Sequence, residues 1–156
     1  MNERDRDSRG RARNARPRDE LGRPLERDAS GVPGVPDDLA LSPSESIDEA
    51  QRLLDTQRPF HAHEVLEATW KASPQEERDL WRGLAQLAVG LTHAQRGNAT
   101  GAVALLRRAA NRIGPWADAR PHSLDVTGVR TYAEELAHLI ESNGIPDEIA
   151  PPKLAG

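Results

Sequence analysis

Cysteine is missing from all 156 residues of this chain. Disulfides, thiolate zinc sites and cysteine nucleophiles are thereby excluded together, and the absence fits a reducing, cytoplasmic setting. Long apolar runs are missing as well. None approaches the roughly 20 residues of a membrane span, and the N-terminus has no apolar segment of the kind a secretory signal needs, so no membrane association is expected. Apolar residues make up 37% of the chain, below the globular norm of roughly 45–50%, and the deficit is concentrated in the N-terminal part. A basic excess is absent too. Charged residues are 29% and the net charge is -4, so nucleic acid is an unlooked-for partner. Alternating apolar patterns of strand length do not occur, and neither a Ser-centred triad nor a phosphate-binding glycine loop can be traced.

What is present divides into three stretches. Residues 1–41 are expected to be a disordered tail ending in a linker. Arg4, Arg6, Arg9, Arg11, Arg13, Arg16 and Arg18 are interspersed with Asp5, Asp7 and Asp19, and such a segment buries too little surface to offset its ordering entropy. The interspersed acids would cancel much of its field at a phosphate, so a solvating tail is preferred to an RNA- or membrane-binding arm. Gly31-Val-Pro-Gly-Val-Pro36 follows as a linker.

Residues 42–144 read as the folded domain. Ser42-Pro43-Ser44-Glu45 is a capping box with proline at the first helical position. It opens a first helix carrying Ile47, Ala50, Leu53 and Leu54 at helical spacing. A second helix is predicted from Pro59 to Lys71, with Phe60, His63, Leu66, Glu67 and Trp70 on its inner face and His61 and Glu64 toward the flanks. A second capping box, Ser73-Pro74-Gln75-Glu76, is expected to start a third helix ending at Gly97. Gly83 and Gly90 share one side of that helix. Each costs about 1 kcal/mol relative to alanine, which a close helix contact or a bound group nearby would explain. Asn98 caps a fourth helix reaching Ile113, on which Arg107, Arg108 and Arg112 form a basic side, read as solvated rather than as an anion site. A loop broken by Pro115 and Pro121 leads to a fifth helix from Asp125 to Asn143-Gly144. Residues 145–156 read as a Pro-punctuated tail. The predicted fold class is therefore all-α, a compact bundle of about five helices.

Several motifs, in order, carry a resemblance. Phe60-His-Ala-His-Glu-Val-Leu-Glu-Ala-Thr-Trp70, then Trp81-Arg-Gly-Leu-Ala-Gln-Leu-Ala88, then His93 with Gly97-Asn98 and Gly101-Ala102 resemble the bacterial and archaeal domain-of-unknown-function 309 family over about residues 43 to 142. The resemblance implies a small helical bundle. It brings no settled activity, although its histidine-glutamate motif has prompted suggestions of metal-dependent hydrolysis. The matching motif positions here are His63, Glu64, Glu67, Trp70, Gln86 and His93.

Two readings of these residues lead, ahead of a metal-free ligand or catalytic pocket. In the first, His63 hydrogen-bonds Gln86 and Glu67 pairs with an arginine such as Arg82, a buried network that fixes the bundle of an interaction or adaptor protein. A protein partner or a second copy would then be bound. In the alternative, His63 and Glu67, one turn apart in the sequence HExxE, hold a divalent ion such as zinc or manganese while Glu64 acts as general base of a hydrolase. Glu67 stands where a zinc protease helix has its second histidine. His93 lies seven residues beyond Gln86, about 10 Å along the axis, too far to complete that ion's shell comfortably. The network is therefore preferred.

Overall fold

The computed structural model describes residues 41–155. The Arg/Asp-rich segment expected to be disordered and its Pro/Gly linker thus lie outside the described residues. Five α-helices follow in order: α1 (Pro43–Asp55), α2 (Pro59–Ala72), α3 (Arg78–Gln95), α4 (Ala99–Ile113) and α5 (Val126–Asn143). The fold class is all-α. Among the described residues the nearest approach to a sheet is an isolated antiparallel bridge between Leu124 and Ala155, and no helix is long and apolar enough to cross a membrane.

Local chemistry sets most helix starts. Ser42 Oγ accepts from the Glu45 backbone N–H and Glu45 returns a carboxylate oxygen to the Ser42 N–H, the reciprocal box expected there. Asn98 and Asp125 cap α4 and α5 by accepting from Gly101 N–H and Gly128 N–H. The second box does not form. Ser73 instead donates its hydroxyl to the Thr69 carbonyl at 2.6 Å, closing the end of α2. The chain then makes a 3-10 turn over Gln75–Glu77, and α3 begins at Arg78. Serine satisfies an orphan carbonyl at a helix end as readily as an orphan N–H at a start.

Each helix packs on the next, α1 on α2, α2 on α3, α3 on α4 and α4 on α5. Helix α3 is the hub. It buries Leu80, Trp81, Leu84, Leu87 and Leu91 together with Gly83 and Gly90, so it is covered on most of its circumference. The two glycines explain the closeness of α4. A β-carbon at Gly83 would lie 2.6 Å from Ile113 Cγ2, and one at Gly90 3.1 Å from Leu106 Cγ. A close helix contact is thus what tolerates both.

The segment after α5 does not hang free. Leu154 is fully buried, Pro152 is buried, and Ile145 and Ile149 pack partly against the core. Residues read as a tail from their proline content are a strap across the bundle, tied by side chains too distant in sequence to be foreseen from local pattern.

Candidate functional site

Helix α2 carries the histidine-glutamate motif, but its buried stripe is rotated from the expected one. Ala62, Val65, Leu66 and Thr69 are buried, and so is His61, at 2% exposure. His61 is therefore a core histidine rather than a flanking one, set edge-on to Phe60 with ring centroids 6.1 Å apart. His63, Glu64, Glu67 and Trp70 are half-buried along the margin of that stripe. The rotation follows from packing on two sides: α2 touches both α1 and α3, so the bisector of those neighbours decides which residues go inward. On the α1 side the Thr69 and Ser46 hydroxyls hydrogen-bond each other at 2.6 Å inside the core.

The motif residues are engaged locally. His63 Nε2 lies 3.2 Å from Glu67 Oε2 one turn on, and Lys71 Nζ lies 3.5 Å from Glu67 Oε1. Burial pushes the Glu67 carboxyl up. The His63 hydrogen bond and the charges of His63 and Lys71 outweigh it and hold the group below its ordinary value. The His63 ring also leans on Phe60, centroids 5.5 Å apart. Its Nδ1 is buried and has no hydrogen-bond partner among the described residues.

From α3, Arg82 lies over the Trp70 ring, its guanidinium carbon 5.5 Å from the centroid. Gln86 does not serve His63 as expected. Its amide oxygen accepts from Arg112 Nε of α4 at 3.1 Å, and the same guanidinium reaches Asp79 at 2.9 Å. His93 is at the other end of α3, its Nδ1 3.1 Å from the Asn98 amide that caps α4. Thus α2 and α3 bring His63, Glu67, Trp70 and Arg82 into one neighbourhood, while Gln86 is joined to α4 and His93 to the α3–α4 turn. Among the described residues no three His, Asp or Glu side chains gather in a metal-binding group.

The basic side of α4 is divided too. Arg107 forms a two-pronged pair with Glu141 of α5, at 2.7 and 3.0 Å, while Arg112 goes to α3.

A second polar cluster had no forewarning in the sequence. Glu77 Oε1 accepts from the indole N–H of buried Trp81 at 3.2 Å and contacts His122 Nε2 at 2.8 Å. The imidazole also covers the indole, ring centroids 5.7 Å apart. His122 sits in a turn where Arg120, His122 and Ser123 all have positive φ, 44°, 55° and 65°, conformations unfavourable for residues with a β-carbon. The four-residue spacing of Glu77 and Trp81 was readable as one helical face. The arrival of His122, 45 residues on, was not.

An all-α helical bundle domain is the class that this fold defines. Residues 47–105 match the model of the family described as Domain of unknown function (DUF309). That region runs from α1 into α4 and contains the whole α2–α3 motif. The chain is also similar to the uncharacterized protein YpuF of Bacillus subtilis (strain 168), 40% identical over 67 residues, which are 42% of this chain and 38% of that protein. The chain thus spans well under two thirds of the relative it matches. No solved structure gives a significant match.

Proposed function

We propose that this chain is a helical interaction or adaptor domain whose His63, Glu67, Trp70, Arg82, Gln86 and His93 fasten the bundle rather than carry out a reaction. One observation carries the reading. These side chains are engaged within the fold: His63 with Glu67 along α2, Trp70 beneath Arg82 across α2 and α3, Gln86 and Asp79 with Arg112 across α3 and α4, and His93 with the Asn98 cap of α4. Glu64 then has no general-base role. A cytoplasmic location belongs to the same reading and suits a chain without cysteine.

The test is equilibrium urea denaturation of His63→Ala. A fastening histidine, half-buried and hydrogen-bonded, is worth about 1–2 kcal/mol, and an unchanged midpoint and slope would sink the reading. Melting of metal-free protein with added zinc or manganese gives the contrary outcome a place to appear. A stoichiometric rise in Tm, lost in His63→Ala, would restore His63 and Glu67 as a ligand pair.

A further inference from the structure

The strap that follows α5 is held the way proteins hold a foreign peptide. Gln51 of α1 meets its backbone with both ends of one amide: Nε2 donates to the Pro152 carbonyl at 2.8 Å and Oε1 accepts from the Leu154 N–H at 2.8 Å. Those two groups belong to residues i and i+2 of an extended segment, the pair that an adjacent strand would satisfy. The Leu154 carbonyl accepts from the Asp125 N–H at 2.8 Å, and Tyr132 of α5 donates its hydroxyl to the Ala150 carbonyl at 2.6 Å. Side chains alternate accordingly. Pro152 and Leu154 are buried while Lys153 and Ala155 are exposed. Backbone hydrogen bonds for affinity and pockets for alternate side chains for selectivity are how an extended peptide is recognised.

The strap does not fill the groove. Beside Ile149 and Pro151 a small cleft of about 20 Å³, partly open to solvent, is walled by Leu54, Pro59, Leu91 and Gln95. Gln95 donates Nε2 to the Gln57 carbonyl at 3.0 Å. Its buried Oε1 has no hydrogen-bond partner among the described residues, so a second amide acceptor waits along the same groove. The strap leaves α5 through Gly144, whose φ of 83° suits glycine.

We propose that the groove between α1 and α5 is a recognition site for an extended Pro-x-Leu segment of a partner protein, and that residues 149–155 occupy it as a displaceable internal ligand. A tethered segment has a high effective concentration. A competitor therefore has to fit better, and an N–H offered to Gln95 Oε1 beside the cleft supplies that advantage. The proposal deepens the interaction-domain reading and rests on it.

A protease site inserted at the exposed Asp147-Glu148 turn of the full chain, cut after folding, tests it. The probe is a fluorescein-labelled peptide with the sequence of residues 146–156. The nicked chain, freed of its strap, binds the probe about tenfold more tightly than the intact chain does, and Gln51→Leu or a probe carrying Leu154→Ser removes that gain. A nicked chain that keeps its helical circular dichroism yet binds no probe, or equal binding to nicked and intact chains, overturns the proposal. So does a concentration-dependent dimer of the intact chain with exchanged straps, since the occupant would then be a second copy.

Hydrogen exchange on the intact chain decides the matter even if nicking unfolds it. A displaceable strap exposes the Leu154 amide about a hundredfold more often than the Leu106 amide in α4; equal protection means that the strap opens only with the whole fold. Loss of the groove leaves the fastening role of His63 standing, because that is read separately in the urea midpoint of His63→Ala.

Discussion

Glu77 shows how much one side chain holds here. Its single oxygen serves the buried indole N–H of Trp81 and the imidazole of His122, joining the start of α3 to a turn with three left-handed residues. The His122 hydrogen bond foremost, against an opposing push from burial and with help from Trp81, keeps the carboxyl below its ordinary value of 4.5. The folded state therefore binds this proton more weakly than the unfolded state does. The resulting stability is present above the unfolded value and is lost as pH falls through the lower folded one. Glu77→Gln keeps an acceptor for Trp81 but abolishes that titration, so its urea midpoint should lie below wild type at pH 7 and converge on it in acid. Glu77→Ala strands the indole N–H and should cost about 1–3 kcal/mol, with no convergence in acid. Parallel midpoints for wild type and Glu77→Gln across the acid range would refute the linkage.

Between helices, the α3–α4 contact makes the sharpest prediction. Gly83→Ala gains about 1 kcal/mol of helix propensity, yet its β-carbon meets Ile113 Cγ2 at 2.6 Å and Arg112 Cβ at 3.2 Å. Ile113 is buried and branched, so it cannot yield cheaply, and overpacking of this kind costs about 1–3 kcal/mol. The clash wins and Gly83→Ala melts lower than wild type; a raised Tm would show that α4 shifts freely. Asp125→Ala removes the α5 cap and should cost about 1 kcal/mol by the same measurement.

Much at this scale was legible beforehand. The caps at Ser42 and Asn98, the start of α5 near Asp125 and the glycine pair of α3 are local or single-helix signals, and the structure has them. The inward face of α2 was not, because a helix packed on two neighbours buries the arc between them, which places His61 inside and His63 at the margin. Nor was the partner of Gln86 legible, since Arg112 reaches it across a glycine-thinned contact that depends on how closely α4 approaches.

At the scale of the whole molecule the strap closes the bundle by joining α1 to α5. Its role was illegible in the sequence: two inward positions, Pro152 and Leu154, are too few to show a period, and its anchors Gln51 and Tyr132 lie 101 and 18 residues from the carbonyls they bind. Truncating a fully buried leucine costs about 2–5 kcal/mol in a region that unfolds only with the rest, and removing the Tyr132 hydroxyl by Tyr132→Phe costs about 1 kcal/mol. A strap that detaches as a unit behaves differently. Neither change can cost more than the free energy with which the strap docks, because beyond that point the segment lifts off and the remaining bundle no longer feels the defect. Leu154→Ala combined with Tyr132→Phe should therefore cost less than the sum of the two single changes, and Gln51→Leu added to the pair should cost almost nothing more. Urea midpoints of the single, double and triple variants read this directly. Additive losses would mean that the strap is an integral part of the cooperative fold, whereas saturation gives its docking free energy as the plateau.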